Sequence, residues 1–256
     1  MNKYSMFDLT GKVAIVTGGY HGIGRGIAEG LAEAGADLVI CARNYDRCAE
    51  ACAEIEKMGV KALPIRCDIG KTEDVENLVT QTVRRMGKLN ILVNNAGVGG
   101  SEKPILDMSD EDWDQVMNID LRGAFICSRA AAREMIKEGG GKIINVASIF
   151  GFITTGNMSA YCASKGGLVQ LTKEMALEFV RYNIQVNVLC PGYFLTPMNR
   201  GLFESEMGKR IVQKNIPMGR LGKCEELRGT AIYLASSATD FMTGSSIVVD
   251  GGQVLW

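Results

Sequence analysis

Short apolar runs and longer amphipathic runs alternate along the chain. Stretches with helical spacing, such as IGRGIAEGLAEAG and TEDVENLVTQTVRRMG, separate most of the apolar runs. Strands that read as continuous apolar runs are buried on both faces, which is typical of parallel sheets. The pattern predicts an α/β Rossmann fold with a doubly wound, mainly parallel seven-stranded sheet and helices on both faces. The predicted strands are residues 12–17, 36–42, 60–67, 89–94, 141–148, 184–190 and 245–250.

Residues 193–223 break this rhythm. They follow the sixth predicted strand and mix two prolines and several glycines with apolar and charged residues. A long excursion beyond the carboxyl end of a strand usually carries function in such a fold. A surface insertion is the alternative, but we favour a lid over a substrate within a single domain that spans residues 1–256.

Composition and charge exclude several classes of protein. The formal net charge is −1, which gives no indication of a nucleic-acid or anionic-membrane partner. No apolar run reaches the roughly 18 residues of a membrane span, and the N-terminus lacks the apolar core of a signal peptide. Eight scattered cysteines form no C-x-x-C pair, and His21 is the only histidine. We therefore expect a cytoplasmic protein with reduced thiols and no metal site.

A glycine-rich loop, TGGYHGIG, follows the first predicted strand and opens a helix. Its glycines permit a tight turn and the close approach of a pyrophosphate to the backbone N–H groups at a helix N-terminus. A plain β-turn is the alternative, but the position between strand and helix favours dinucleotide binding. The expected cofactor contacts in this loop are Thr17, Gly18, Tyr20, His21, Gly22, Ile23 and Gly24.

The end of the second predicted strand, VICARN, bears on the choice of cofactor. NAD sites place an acidic residue there for the ribose 2′-hydroxyl, whereas NADP sites use an arginine for the 2′-phosphate. Here Ala42 is followed by Arg43 and Asn44, which favours NADP. Arg43 could equally stack on the adenine or point to solvent, so NAD remains possible.

Four further polar residues stand where predicted elements end or need partners. Asp68 follows the third strand, where it could accept from the adenine amino group or cap a turn. Asn95 belongs to NNAG, which closes the fourth strand and is suited to lie along a cofactor. Asn118 falls in an apolar helical pattern, where a buried amide needs partners. Ser148 ends the fifth strand.

The stretch SAYCASKGG places Tyr161 and Lys165 one helical turn apart among small side chains. Residues at i and i+4 are neighbours on a helix surface. A unit charge ~4 Å away at an effective dielectric of ~20 is worth roughly 4 kcal/mol, or about three pKa units before screening. Such a cation brings a phenol towards physiological pH, where a general acid/base works best. A helix that merely exposes both side chains is the alternative.

These motifs together resemble the short-chain dehydrogenase/reductase family. TGGYHGIG, NNAG, Asn118, Ser148, YCASK and PGYFLT occur in that family's order and spacing, and the resemblance extends to VVDGG at 248–252. It implies reversible hydride transfer between a nicotinamide and a secondary alcohol or ketone, without a metal. The further cofactor contacts it implies are Asp68, Ile69, Asn95, Ala96, Gly97, Tyr161, Lys165, Pro191, Gly192, Phe194 and Thr196.

The same resemblance assigns roles to the catalytic residues. Tyr161 is the general acid/base, and Lys165 lowers the phenol pKa and holds the nicotinamide ribose. Ser148 orients the carbonyl, and Asn118 holds a water in a proton relay behind Lys165. Two departures from the family pattern stand out. His21 replaces a basic residue common in NADP-dependent members, which weakens the NADP prediction, and Arg122 has no functional interpretation.

The substrate is less well specified. The start and end of the chain look like gluconate-type dehydrogenases, and we expect a polyol, sugar acid or cyclic ketone. A 3-oxoacyl-carrier-protein reductase is an alternative, and a catalytically idle cofactor-binding scaffold or sensor is another. We also expect a homotetramer, or a dimer, built on helices at about 112–138 and 158–182. The expected pocket residues are Phe150, Phe152, Thr154, Thr155, Asn157 and, from the lid, Met198, Leu202 and Phe203; a basic entrance patch for a carrier protein could come from Arg129, Arg133 and Lys173.

Overall fold

The seven apolar runs form one parallel sheet in a computed structural model that describes residues 5–197 and 199–255. The strand order is β3-β2-β1-β4-β5-β6-β7, which confirms the predicted fold class. Each strand begins and ends within two residues of its prediction, the usual uncertainty of element boundaries. The strands are β1 (Val13–Thr17), β2 (Asp37–Ala42), β3 (Ala62–Arg66), β4 (Ile91–Asn94), β5 (Gly141–Val146), β6 (Ile184–Pro191) and β7 (Ser246–Val249).

Helices cover both faces of this sheet. One core contains buried residues of α3, α5 and α6, and the other contains residues of α1, α2 and α9. Strands β1, β4 and β6 are buried along their whole length, as their continuous apolar sequences predict. The helices are α1 (Gly22–Glu33), α2 (Tyr45–Glu56), α3 (Thr72–Met86), α4 (Asp110–Val116), α5 (Ala124–Lys137), α6 (Ser159–Phe179), α7 (Arg200–Glu204), α8 (Glu206–Asn215) and α9 (Arg228–Ala235).

The position of β1 determines where a ligand can bind. β1 pairs with β2 on one side and with β4 on the other, so the chain winds outward from it in two directions. In open parallel sheets, ligands bind at this switch point, beyond the carboxyl ends of the strands. The loops after β1 and β4 both end at this crevice.

A π-helical segment, Met117–Gly123, joins α4 to α5 without a break. Such segments are rare and frequently occur at functional sites. Ser109 caps the start of α4 by accepting a hydrogen bond from the backbone N–H of Asp112. The long helical stretch expected near 112–138 is therefore present, with an irregularity that the sequence pattern did not predict.

Residues beyond β6 form two short helices, α7 and α8. Phe203, Val212 and Ile216 make a small separate core there, against which Tyr193 and Leu221 pack. None of the helices in the described ranges combines the length and apolar character needed to cross a membrane. All eight cysteines lie within the described residues and are free thiols.

Candidate active site

A cleft of about 1130 Å³ runs along the carboxyl ends of the strands. Thr17, Asn118 and Pro191 do not line it. Thr17 is buried, and its Oγ1 accepts hydrogen bonds from the N–H groups of Asn95 and Ala96, each at 3.0 Å, which tie β1 to β4. The predicted site residues that do line the cleft are Gly18, Tyr20, His21, Gly22, Ile23, Gly24, Arg43, Asn44, Asp68, Ile69, Asn95, Ala96, Gly97, Ser148, Tyr161, Lys165, Gly192, Phe194 and Thr196.

The glycine loop is shaped to receive an anion at the start of α1. Gly22 has a φ of 55°, a left-handed conformation that favours glycine. A Cβ on Gly24 would lie 2.3 Å from Nδ2 of Asn95, so no larger side chain fits between the loop and β4. His21, the N-cap residue, makes no side-chain hydrogen bond to the first turn. The N–H groups of that turn are therefore available to a phosphate, and the loop fits a dinucleotide cofactor.

Two arginines line the cleft where β2 and β3 end, and we call this part the adenosine end. Arg66, which the sequence interpretation missed, pairs in register with Ala42 at the ends of β3 and β2 and lines the cleft together with Arg43. The sequence places Arg66 at the end of the third apolar run, but only the pairing of β3 with β2 brings it close to Arg43, which follows β2. Oδ1 of Asp68 accepts a hydrogen bond from the N–H of Gly70 at 3.0 Å, so Asp68 caps a turn as well as lining the cleft.

The other end of the cleft brings together three of the four predicted catalytic residues. Ser148 follows β5, and its Oγ accepts a hydrogen bond from the N–H of Phe150 at 3.2 Å. Tyr161 and Lys165 lie one turn apart near the start of α6, with Nζ of Lys165 5.4 Å from the centroid of the phenol ring. This Nζ also donates to the carbonyl oxygen of Val146 at 3.3 Å. The side chain of Lys165 is thus held rigidly next to the phenol.

Asp120, not Asn118, is the residue behind Lys165. Its Oδ2 lies 3.1 Å from Nζ of Lys165, and its Oδ1 accepts a hydrogen bond from the N–H of Val98 at 2.8 Å. Burial disfavours the charged ammonium, but attraction to Asp120, with a smaller contribution from Tyr161, outweighs it and raises the pKa of Lys165. Lys165 is therefore an ammonium at neutral pH.

The expectation that Asn118 stands in this position is wrong. Residues two apart on a helix do not share a face, so Asp120 and Asn118 point in different directions, and Asp120 is the one that reaches Lys165. Oδ1 of Asn118 accepts from Nη1 of Arg122 at 3.0 Å, and the same Nη1 donates to the carbonyl oxygen of Gly70 at 2.8 Å. Arg122 thereby has a structural role, which is to fasten the loop after β3 to this segment.

Aromatic side chains form the wall of the cleft beyond Tyr161. The ring centroids of Phe150 and Tyr193 are 5.9 Å apart, and those of Tyr193 and Phe203 are 5.1 Å apart. Leu202 and Glu102 also line this end. Burial, with smaller contributions from Glu102 and Tyr161, raises the pKa of Tyr193. We call the part of the cleft lined by these residues the substrate end.

Several expected pocket residues lie elsewhere. Phe150, Leu202 and Phe203 line the cleft as predicted, and Met198 lies outside the described residues. The expectation is wrong for four exposed residues of the loop before α6, which do not line the cleft: Phe152, Thr154, Thr155 and Asn157.

Asn199, which the sequence interpretation also missed, shapes the loop that carries Thr196. Its Oδ1 accepts from the N–H of Thr196 at 2.9 Å, and its Nδ2 donates to the carbonyl oxygen of Phe194 at 2.8 Å. The methyl group of Thr196 approaches Gly22, where a Cβ would lie 3.3 Å away. The loop after β6 therefore closes over the glycine loop after β1.

Comparisons with known proteins agree with this architecture. A family model described as enoyl-(acyl carrier protein) reductase matches residues 10–253. The 2-dehydro-3-deoxy-D-gluconate 5-dehydrogenase of Escherichia coli (strain K12) is 40% identical over 97% of this chain and 97% of its own. The NAD-dependent glycerol dehydrogenase of Listeria innocua serovar 6a is 37% identical over 97% of this chain and 96% of its own.

A solved structure extends the likeness to three dimensions. The gluconate 5-dehydrogenase from Burkholderia cenocepacia J2315 in complex with NADP and tartrate has a TM-score of 0.94 and 39% identity, and the match covers 98% of each chain. The predicted family is confirmed. The chain belongs to the short-chain dehydrogenase/reductase family and is an NAD(P)-dependent oxidoreductase that acts on CH–OH groups.

Proposed function

We propose that this chain is an NADP-preferring enzyme that interconverts a secondary alcohol and a ketone in a small polyhydroxylated molecule. One observation carries the proposal: a single cleft joins the uncapped N-terminus of α1 to the cluster of Ser148, Tyr161 and Lys165. A cleft of about 1130 Å³ has room for a dinucleotide and a small substrate end to end.

The residues of the cleft fit the cofactor in three places. The first turn of α1 would hold the pyrophosphate, and Arg43 with Arg66 would bind a 2′-phosphate, because Ala42 leaves that position without a carboxylate. Lys165 would bind the nicotinamide ribose. When bound, the nicotinamide supplies or accepts the hydride. NADH is the alternative cofactor, in view of the NAD-dependent relative from Listeria innocua.

Tyr161 moves the proton. In carbonyl reduction the phenol donates its proton to the substrate oxygen, and in alcohol oxidation it takes that proton back. Ser148 donates a hydrogen bond to the same oxygen, and the ammonium of Lys165, 5.4 Å from the ring centroid, stabilises the phenolate. A positioned general acid/base of this kind contributes roughly 10²- to 10⁴-fold to the rate.

Residues 193–223 serve as the substrate lid within a single domain. Leu202 of α7 and Phe203 contribute apolar surface to the substrate end, and Phe203 packs on Tyr193. The main chain of Phe194 pairs with Gly222 in an isolated bridge, so the segment leaves and returns at one point. A lid with both ends fixed there excludes water from the reacting groups.

Two substrate classes follow from different observations. Relatives named for 2-dehydro-3-deoxy-D-gluconate and gluconate favour a sugar acid. Glu102 favours an uncharged polyol, because it is the only charged side chain among the described residues at the substrate end and would repel a carboxylate. The glycerol dehydrogenase from Listeria innocua is consistent with this second class.

A substrate panel tests the proposed function. The oxidation of gluconate-type acids and neutral polyols, and the reduction of their ketones, is followed through nicotinamide absorbance with NADP(H) and NAD(H). Turnover of a polyhydroxylated substrate, faster with NADP(H), is the expected result. Faster reduction of acetoacetyl-carrier-protein would overturn it. Tight NADPH binding without turnover of any member would favour the idle scaffold.

The carrier-protein alternative lacks support at the entrance. Arg129, Arg133 and Lys173 lie on α5 and α6 and do not line the cleft, and Arg129 instead stacks over the ring of Phe125 at 5.0 Å. An acidic carrier protein would need basic residues where its pantetheine arm enters. We therefore rank this function below the polyol and sugar-acid candidates.

We propose a homotetramer in the cytoplasm, and the exposed faces of α5 and α6 are the basis for the proposed assembly. Three large apolar side chains of these helices are exposed: Phe125 by 42%, Ile136 by 42% and Leu177 by 73%. Such exposure of apolar surface to water is unfavourable in a monomer. A second copy packing on these helices would bury them. Light scattering at micromolar concentration should give four times the chain mass, and Leu177→Glu should reduce it; a wild-type monomer would contradict the proposal.

A further inference from the structure

The substrate end combines a run of aromatic rings with a carboxylate. The ring centroids of Tyr161 and Phe150 are 6.2 Å apart, and the run continues through Tyr193 to Phe203. Neighbouring rings meet edge to face, at interplanar angles from 63° to 71°, and all four side chains line the cleft. The face of an aromatic ring carries partial negative charge and attracts cations. This wall therefore favours an ammonium group over a carboxylate.

Glu102 adds a full negative charge next to this wall. It lines the cleft and, after burial, is the main reason for the raised pKa of Tyr193, so its carboxylate lies close to that ring. The neighbouring Lys103 does not neutralise it, because Nζ of Lys103 pairs with Oδ2 of Asp112 at 2.6 Å. Glu102 forms no ion pair in the part of the chain that the structure describes. Its carboxylate is therefore available to a cation on a ligand.

The cations of the cleft are either paired or at its other end. Nζ of Lys165 lies 3.1 Å from Oδ2 of Asp120, so these two charges largely cancel. The arginines that line the cleft, Arg43 and Arg66, belong to the adenosine end, where β2 and β3 end. The uncompensated charge at the substrate end is thus negative, and it comes from Glu102.

We propose that the substrate is a polyhydroxylated molecule that also carries an ammonium group, an amino polyol or amino sugar, and that Glu102 binds this group together with the rings of Tyr193 and Phe203. This inference rests on the proposed function and narrows its substrate class. Tyr193 is influenced by Glu102 and by Tyr161 alike, so an ammonium at Glu102 and a hydroxyl at Tyr161 fit within one small molecule. An alkyl amine is protonated at neutral pH, as the side chain of lysine is. The ammonium takes no part in the hydride and proton transfers.

Three ligands with one carbon skeleton test this charge preference. D-Gluconate, D-glucitol and 1-amino-1-deoxy-D-glucitol differ only at C1, which is a carboxylate, a neutral hydroxymethyl group or an aminomethyl group. Oxidation with NADP gives kcat/KM, and calorimetry with the enzyme–NADPH complex, in which no alcohol can react, gives affinity. At low salt the amine should exceed D-glucitol by roughly 3- to 10-fold in both, and D-gluconate should be weakest. An amine that is no better than D-glucitol would overturn the proposal.

Matched variants show whether Glu102 and the rings cause the preference. Glu102→Gln keeps the shape and removes the charge, so the amine should lose most of its advantage while D-glucitol changes little. Phe203→Leu removes one ring and should weaken the amine more than D-glucitol. Glu111→Gln, at an exposed residue of α4 outside the cleft, should leave all three ligands unchanged. An advantage of the amine that survives in Glu102→Gln would overturn the assignment.

The two measurements separate this inference from the function on which it rests. If wild type oxidised none of the three ligands and no other polyhydroxylated compound, the proposed function would fail. Calorimetry with the NADPH complex would still show whether the substrate end prefers an ammonium. If wild type instead oxidised D-gluconate or D-glucitol faster than the amine, the function would stand and the ammonium site would be refuted.

Discussion

The side chain of Lys165 lies over the ring of Tyr161, with its Nζ 5.4 Å from the ring centroid. One helical turn separates the two residues, and Lys165 is buried while Tyr161 opens onto the cleft. The cation therefore lies next to the phenol, on a side chain that is itself shielded from water. This relationship is the basis of the proton transfer proposed above.

Replacing Lys165 should impair both binding and chemistry. Lys165→Ala removes the cation beside Tyr161 and the donor proposed for the nicotinamide ribose, and it leaves Asp120 buried without a partner. We expect kcat to fall by roughly 10²-fold or more and NADPH affinity to fall as well. Steady-state rates and a fluorescence titration with NADPH measure the two effects. Lys173→Ala, an exposed lysine of the same helix, is the control, and equal behaviour of the two variants would refute the assignment.

The arginines at the adenosine end should determine the preference between cofactors. Charge-assisted hydrogen bonds to a phosphate are worth about 1.5–3 kcal/mol, so Arg43→Ala and Arg66→Ala should each weaken NADPH by roughly 10-fold or more. NADH lacks the 2′-phosphate, and its affinity should hardly change. Arg47→Ala, an exposed arginine of α2 that does not line the cleft, should alter neither. Equal losses for both cofactors would show that these side chains do not bind the 2′-phosphate.

Glu102 should discriminate against anionic substrates. Glu102→Gln removes the negative charge from the substrate end, so KM for a sugar acid should fall several-fold while KM for a neutral polyol changes little. The difference should diminish at high salt, because Glu102 is exposed to solvent. Glu111→Gln, an exposed carboxylate of α4, is the control. A polyol KM that responds as strongly as that of the acid would argue for altered packing instead of charge.

The segment 193–223 ends at an ion pair whose contribution to stability depends on pH. Arg220 binds Glu226 through two hydrogen bonds of 2.7 and 2.8 Å, and Glu226 also accepts from the N–H of Lys223. These contacts, above all the one with Arg220, lower the pKa of Glu226 from 4.5 to about 2. A lowered carboxyl pKa stabilises the folded state above the unfolded-state value and loses that effect as the pH falls through the folded value.

Urea unfolding of Glu226→Gln checks this dependence. The free-energy advantage of wild type should be complete above pH 4.5 and should disappear as the pH falls towards 2. Glu225→Gln, its exposed neighbour, should show no such trend. A wild-type advantage that persists at the acidic end would mean that Glu226 stabilises the fold through something other than its charge.

The alternation of apolar and amphipathic runs was sufficient to predict the sheet, because strands buried on both faces leave a continuous apolar signal. The pairing of Tyr161 with Lys165 was equally accessible, since i and i+4 fix neighbours on any helix. The side chain behind Lys165 was not. Asn118 and Asp120 lie two residues apart in one apolar pattern, and only the packing of this segment against α6 shows that Asp120 reaches Lys165.

Residues that depend on pairing between distant segments were also beyond the sequence. Arg66 comes beside Ala42 only through the register of β2 with β3. Asn199 can hold Thr196 because the loop after β6 folds back on itself. Glu102 lines the substrate end because the loop after β4 passes there. Polar residues in loops carry no periodic signal, so their roles emerge only once the strands are assembled.

Tyr161→Phe tests the central claim most directly. The variant keeps the ring beside Lys165 and removes only the hydroxyl, so the NADPH affinity measured by fluorescence should stay near that of wild type. Turnover of the best polyhydroxylated substrate should fall by roughly 10²- to 10⁴-fold, the usual contribution of a general acid/base. Unchanged cofactor binding together with that loss would support proton transfer by Tyr161. Near-native turnover in the variant would contradict it.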